Sequence, residues 1–277
     1  MPFTTLTLGG GGSKGIYHVG ALIELQKHQP LEFPGGVYGV SVGSIIGICV
    51  AFGLPITREE IAKNKQVFSP SFFIDEIDFP KLANSISSKG LFTTEKLCKS
   101  VHSLFLEYGI DVNTTRLSDA KMPLYIIASN LTKGKPTIFS GDVLLIDAIR
   151  CSCAIPGIFQ PQILYDQVYV DGDLFCPSLN YFVKDASNCL SISLKCAMMT
   201  NEFVPSKIES MSPLKYMHDL YASATTNFHA QTKGDRTVMM SYPNFFATSD
   251  LKDFDLDDIL QKCGEKLKSF LSSKNLL

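Results

Sequence analysis

The chain has 277 residues, 45% of them apolar and 19% charged, which supports a sizeable buried core and excludes a disordered chain. Lys and Arg number 25 against 27 Asp and Glu, a net charge of −2, and without a basic block the footprint of a nucleic-acid binder is missing. The longest apolar stretch, Ile45 to Leu54, falls short of the roughly 18 residues that a membrane-spanning helix needs.

The opening MPFTTLTLGGGG has no basic region ahead of its apolar run, so no signal peptide is expected and a cytoplasmic location follows. The eight cysteines (Cys49, Cys98, Cys151, Cys153, Cys176, Cys189, Cys196 and Cys263) form no CxxC pair. They are expected to be free, mostly buried thiols in a reducing compartment, and no Cys/His cluster has zinc-ligand spacing.

Phe3 to Leu8 reads as a short strand of β-branched and apolar residues, and it runs into Gly9-Gly10-Gly11-Gly12-Ser13-Lys14-Gly15. A helical pattern follows through Ile16, Val19, Leu22, Ile23 and Leu25, stopped by Pro30. A second such unit comes at once. Gly36 to Val40 is an apolar strand, Ser41 sits at its end, and Ile45 to Phe52 is a helix apolar on nearly all sides.

Thr57 to Ser118 is more polar, with a helix starting at Thr94 and an apolar stripe of Leu97, Val101, Leu104 and Phe105. Leu124 to Ala128 is predicted as a buried strand, Thr137 to Ser140 as another, and Asp142 to Ile149 as a helix with an acidic start. Gln167 to Val170 is a strand ending at Asp171-Gly172-Asp173, and Leu190 to Leu194 alternates like a further strand. The last third is expected to be mainly helical. Ser212-Pro213 starts one helix, continued by Leu214, Met217, Tyr221 and Ala224. Leu256 to Leu271 forms an amphipathic helix, acidic at its start and basic at its end, expected to dock on the core rather than on a membrane. With no repeat or linker, one α/β domain over 1–277 is the simplest organisation, its motif-bearing core at about 4–194 and a helical part at about 205–277.

Gly39-Val40-Ser41-Val42-Gly43 fits G-x-S-x-G between an apolar strand and an apolar helix. Such a turn exposes the Ser hydroxyl at a helix N-terminus and leaves the Val42 N–H where a tetrahedral oxyanion would form. The glycine run at the first strand-to-helix junction exposes backbone N–H groups with no side chains in the way, a nest for anionic oxygen. Two uses compete for it: an oxyanion hole, and a dinucleotide site, because Gly10-x-Gly12-x-x-Gly15 also satisfies G-x-G-x-x-G. The dinucleotide reading asks for an acid at the end of the second strand, whereas Glu32 precedes that strand. Asp171, at a strand end, is the candidate base for Ser41. His18, His28, His102, His218 and His229 are read as structural or surface residues, since none sits in a short loop after a strand.

Four blocks in order resemble the patatin-like phospholipases. They are Gly10 to Gly15 followed by His18-Val19-Gly20-Ala21-Leu22; Gly39 to Gly43; Ala148 to Pro156 with Phe159 and Pro161; and Val170-Asp171-Gly172. The resemblance implies an α/β/α three-layer sandwich with a mainly parallel central sheet, and a Ser–Asp dyad of Ser41 and Asp171. It implies an oxyanion hole from the N–H groups of Gly10, Gly11 and Gly12, beside that of Val42. Ser13, Lys14, Gly15, Gly39, Gly43 and Gly172 would support these motifs, Lys14 by charge or a structural bond. It implies no metal or organic cofactor. The expected substrate is a phospholipid or other lipid acyl ester, of phospholipase A or lysophospholipase type, met at a transient lipid surface. A dinucleotide-binding protein and an inactive scaffold of the same fold are the alternatives. The sequence departs from the family at Asp173, where Gly or Ala is usual, and at Cys176-Pro177. Asp173 is expected to point to solvent; facing the site, it would raise the apparent pKa of the carboxylate pair. Phe68, Phe72 and Phe73 are expected to form an apolar patch at the site.

Overall fold

The computed structural model describes residues 3–75, 87–176, 178–196, 236–242 and 255–276, with isolated positions at 83, 211, 216, 220 and 223. Ten strands are described: β1 (Thr5–Leu8), β2 (Gly36–Val40), β3 (Gly90–Phe92), β4 (Leu124–Asn130), β5 (Lys135–Phe139), β6 (Gly157–Phe159), β7 (Gln162–Leu164), β8 (Gln167–Asp171), β9 (Cys189–Cys196) and β10 (Thr237–Tyr242). Between them lie α1 (Ile16–Leu25), α2 (Val42–Phe52), α3 (Arg58–Lys63), α4 (Pro70–Phe73), α5 (Glu95–Leu106), α6 (Leu145–Ser152) and α7 (Leu256–Ser273).

The main sheet runs β10-β9-β1-β2-β4-β8-β7, with β5 also paired to β4. Its first five strands are mutually parallel, while β5, β8 and β7 join antiparallel. β1 and β2 lie mid-sheet and are buried along their whole length, which explains their unbroken apolar and β-branched sequence. Leu6, Leu8, Val37, Leu124 and Ile126 point to one face and pack with α1, α2, α5, α6 and α7 in a single large core. Tyr38, Val40 and Ile127 point to the other face, against Cys176 and Leu179. Of the expected three layers, the described residues give the sheet, one full helical layer and, on the second face, the short 3-10 turns Gly172–Leu174 and Leu179–Phe182.

The C-terminal helix docks on the core. Asp255 caps α7 by accepting from the N–H groups of Asp257 and Asp258, and Cys263, Leu267 and Leu271 are buried with α1. Arg58 and Asp257 close that end with a bidentate ion pair.

Several boundaries differ from expectation. α6 begins at Leu145 rather than Asp142, because 141–144 is a turn pinned to the segment before it: the N–H of Leu117 reaches Val143 O, that of Ser118 reaches Gly141 O, and Arg116 bridges Leu144. The second hairpin strand ends at Phe139, and Gly141 turns the chain with φ 63°. The late region, expected to be mainly helical, holds β10, which extends the sheet beside β9 and buries Val238 and Met240. The helix expected from Ser212-Pro213 lies outside the described residues, as do His218, His229 and Pro177.

Candidate active site

Ser41 links β2 to α2 with φ 53° and ψ −129°, a backbone state that costs a non-glycine residue roughly 1–3 kcal/mol and persists only where its surroundings impose it. They do so here. The Ser41 N–H donates to Ser152 Oγ at 2.9 Å, and Ser152 Oγ–H donates to Ile127 O at 2.6 Å. The Ser41 carbonyl accepts from the Ser44 N–H at 2.9 Å and from Ser44 Oγ at 2.6 Å. The flanking glycines allow close approach: a Cβ on Gly43 would lie 2.1 Å from Leu8 O, and one on Gly39 would lie 2.5 Å from Gly43 O.

Strand pairing brings Asp171 to Ser41. Ile127 of β4 pairs with both Val40 of β2 and Ile138 of β5, so β2 and β5 take opposite edges. Ala128 pairs with both Asp171 of β8 and Thr137 of β5, so β8 and β5 also take opposite edges. β2 and β8 therefore share one edge of β4. β2 leaves it at Val40 and β8 reaches it at Asp171, one residue step away, roughly 3.3 Å along the strand. Gly172 fits against Val40 Cγ2 and Ile127 O, where a Cβ would lie 2.2 and 2.4 Å away.

Asp171 is buried at 1% exposure. Its N–H donates to Ala154 O at 2.8 Å, and its Oδ1 accepts from the Asp173 N–H at 3.0 Å. The segment 152–154 thus holds the backbone of both residues, Ser152 that of Ser41 and Ala154 that of Asp171. Cys153 lies between them, its Sγ 3.9 Å from Ser44 Oγ. Burial, reinforced by the Asp171 charge, pushes the Cys153 thiol well above its ordinary range, so it is not a competing nucleophile.

The glycine loop lies at the same end of the sheet. Gly9 continues β1 by donating to Ile192 O at 3.0 Å, and the Lys14 N–H closes onto Gly11 O at 3.1 Å. Gly12 (φ 55°) and Ser13 line a cavity of about 100 Å³ together with Ser41 and Val42. Its walls are apolar: Ile45, Phe73, Ile74, Leu97, Ile155, Ile158 and Phe159. Gly10 and Gly11 are not part of that lining; their Cα atoms back onto Asp173 and Leu194. Gly15 sits under Val42, and Lys14 is buried at 6% exposure.

Asp173 does not point to open solvent. It is half-buried, and a Cβ on Gly10 would lie 2.1 Å from its Oδ2, so its carboxylate packs on the glycine loop. His18 supports the same loop. It is fully buried, and burial holds its pKa down to about 4, against smaller upward pulls from Gly9 and Asp173. The ring is therefore neutral, and its Nε2–H donates to Gly9 O at 2.7 Å. No described histidine lines the Ser41 cavity. Burial likewise lifts Cys49, Cys151, Cys189 and Cys263 to about 12, as expected of inert thiols.

One assignment changes. Phe68, expected in an exposed patch, is buried at 5% exposure because it packs near Gly15, under the glycine loop. Phe73 of that trio enters the cavity wall. Ser152 was not singled out by sequence; a lone hydroxyl on the buried side of an apolar helix was its only signal. Glu32, the acid closest to a dinucleotide pattern, is exposed in the loop before β2, away from the strand ends that carry Ser41.

Residues 6–177 match the patatin-like phospholipase family. An uncharacterized NTE family protein of Mycobacterium tuberculosis is 27% identical over 176 residues, 64% of this chain and 44% of that protein. A cGAMP-activated phospholipase of Vibrio cholerae is 25% identical over 197 residues, 61% of this chain and 53% of that protein. The chain thus spans about half the length of these relatives. The crystal structure of VipD from Legionella pneumophila has the same fold, with a TM-score of 0.55 and 15% identity over 99% of this chain and 67% of that one. Among the described residues, no helix is long and apolar enough to cross a membrane. The chain belongs to the patatin-like phospholipase family.

Proposed function

We propose that the chain hydrolyses fatty-acyl esters of glycerolipids, as a phospholipase A or lysophospholipase, through a covalent ester on Ser41. Asp171 takes the Ser41 Oγ proton as the oxygen attacks the acyl carbonyl carbon. The resulting oxyanion is held by backbone N–H groups of Gly10, Gly11 and Gly12 and by that of Val42 at the positive end of α2. Collapse breaks the bond to the leaving alcohol, which takes the proton back from Asp171. Water, deprotonated by the same carboxylate, then releases the fatty acid and restores Ser41. The lipid is taken from a membrane or micelle surface in a transient encounter.

One observation carries this reading: β2 and β8 end one residue step apart on the same edge of β4, so the strained Ser41, which lines an apolar cavity, follows a strand end adjacent to that of the buried Asp171. The names of relatives such as the Vibrio cholerae phospholipase agree with it. The test is fluorophosphonate labelling of wild type, Ser41→Ala and Asp171→Asn, with peptide mapping and release of fatty acid from phosphatidylcholine vesicles. The expected result is a label on Ser41, lost in Ser41→Ala and much reduced in Asp171→Asn. Turnover should fall on the order of 10⁶-fold in Ser41→Ala. A folded wild type that takes no label, or takes it elsewhere, would refute the proposal.

A further inference from the structure

A second cavity, of about 90 Å³, lies beside the first, and Val42, Ile45 and Phe73 line both. On α2 the positions Val42, Ile45, Ile46 and Cys49 are spaced i, i+3, i+4 and i+7, so they form one stripe that starts beside Ser41. The first cavity takes the Val42–Ile45 part of that stripe, and the second takes all of it. From Val42 to Cys49 the stripe is about 10 Å long. Both are half-open, largely apolar pockets, and the second continues the first along the helix that begins beside the nucleophile.

The second cavity also has polar lining: Glu60, Asn64 and Tyr108. These side chains are closed on one another. Tyr108 O–H donates to Glu60 Oε1, and Asn64 Nδ2 donates to Glu60 Oε1 at 2.9 Å and to Tyr108 Oη at 3.3 Å. An apolar chain end gains nothing by displacing them, because it would break these bonds and leave the buried Asn64 amide without its partners.

We infer that, with Ser41 as the acylated residue proposed above, the fatty-acyl chain lies along the α2 stripe, passes Phe73 into the second cavity, and is limited in length by the Glu60–Asn64–Tyr108 cluster. The occupant is an unsubstituted acyl chain, and the cluster is its end stop. Phe73 is the partition between the compartments, and cavity lining rather than head-group contact sets the acyl preference.

The test measures kcat/KM for p-nitrophenyl butyrate, octanoate, dodecanoate and palmitate. In wild type kcat/KM is expected to rise about fourfold per methylene while the chain fills the cavities, then to stop rising. Leu104→Phe and Cys49→Met each fill the second cavity alone, from α5 and from α2. Each should lower the dodecanoate-to-butyrate ratio by about 15-fold, the equivalent of two methylenes. Two variants are used so that one failing to fold, judged by circular dichroism, leaves the other to decide. Tyr108→Ala should move the plateau to longer esters. A flat wild-type series, an unchanged ratio in the folded filling variants, or a plateau that stays put in Tyr108→Ala overturns the inference while Ser41-dependent hydrolysis stands. Absence of any Ser41-dependent hydrolysis removes the parent proposal and this one together.

Discussion

Ser152 offers the sharpest test of how the candidate site is held. Its side chain is fully buried and makes two bonds at once, accepting from the Ser41 N–H at 2.9 Å and donating to Ile127 O at 2.6 Å. Ser152→Ala removes both and leaves a buried N–H and a buried C=O without that partner. Each such group costs about 1–3 kcal/mol, so the combined destabilisation is about 3 kcal/mol. At roughly 2–4 °C per kcal/mol for a chain of this size, the melting temperature should fall by about 6–12 °C. The Ser41 N–H bond is also one of the contacts that hold φ at 53°. Relaxation there displaces the hydroxyl, and a shift approaching 1 Å costs up to about 10²-fold in rate. The cavity lining is untouched, so kcat should fall and KM should stay. The assay is thermal denaturation together with ester hydrolysis. The control is Ser273→Ala, whose exposed hydroxyl bonds only the Phe270 carbonyl among the described residues. A Ser152→Ala protein that melts within about 2 °C of wild type and keeps its kcat would refute the argument.

Gly43→Ala should prevent a native site from forming, because the new Cβ would sit 2.1 Å from Leu8 O and 2.6 Å from Gly9 O, backbone that cannot move aside. Soluble variant with the wild-type melting temperature would contradict this. His18 predicts a pH effect. Its folded pKa, about 4, lies below the ordinary 6.5 because the ring is buried. Between those values the unfolded chain binds a proton that the folded chain does not, so stability falls as pH drops from 6.5 toward 4 and levels off below. The full loss is about 3 kcal/mol. His18→Gln keeps a donor for Gly9 O without titrating, so its melting temperature should depend less on pH across that window. Parallel pH curves for the two proteins would refute the assignment.

The opening strand–loop–helix–strand–helix run is legible in sequence for a physical reason. Its strands are buried on both faces and so carry apolar and β-branched residues without a charge, and glycine marks each junction where backbones touch. Asp171 was legible as a strand-end Asp-Gly and as the candidate base for Ser41, while a Ser–Asp dyad without histidine came from the resemblance. The nearness of the two depends on which edge of β4 each strand takes, and pairing between strands distant in sequence leaves no local pattern. β3 and β6, three residues each, are too short for an alternation to be counted. Likewise, local spacing does not distinguish Phe68, which packs under the glycine loop, from Phe73, which faces the cavity; a long-range contact decides it.

The proposed dyad has no histidine to span a gap, so the carboxylate must reach the hydroxyl itself, within hydrogen-bond distance. Two independent constraints fix the separation of the backbones. One is the register of β4, which sets Val40 and Asp171 against the successive residues Ile127 and Ala128. The other is the segment 152–154, which binds the Ser41 N–H through Ser152 Oγ and the Asp171 N–H through the Ala154 carbonyl. A parallel β8 would carry its carboxyl end away from β2. The antiparallel pairing of β8 with β4 is what turns two strand termini toward each other, where direct proton transfer would require it.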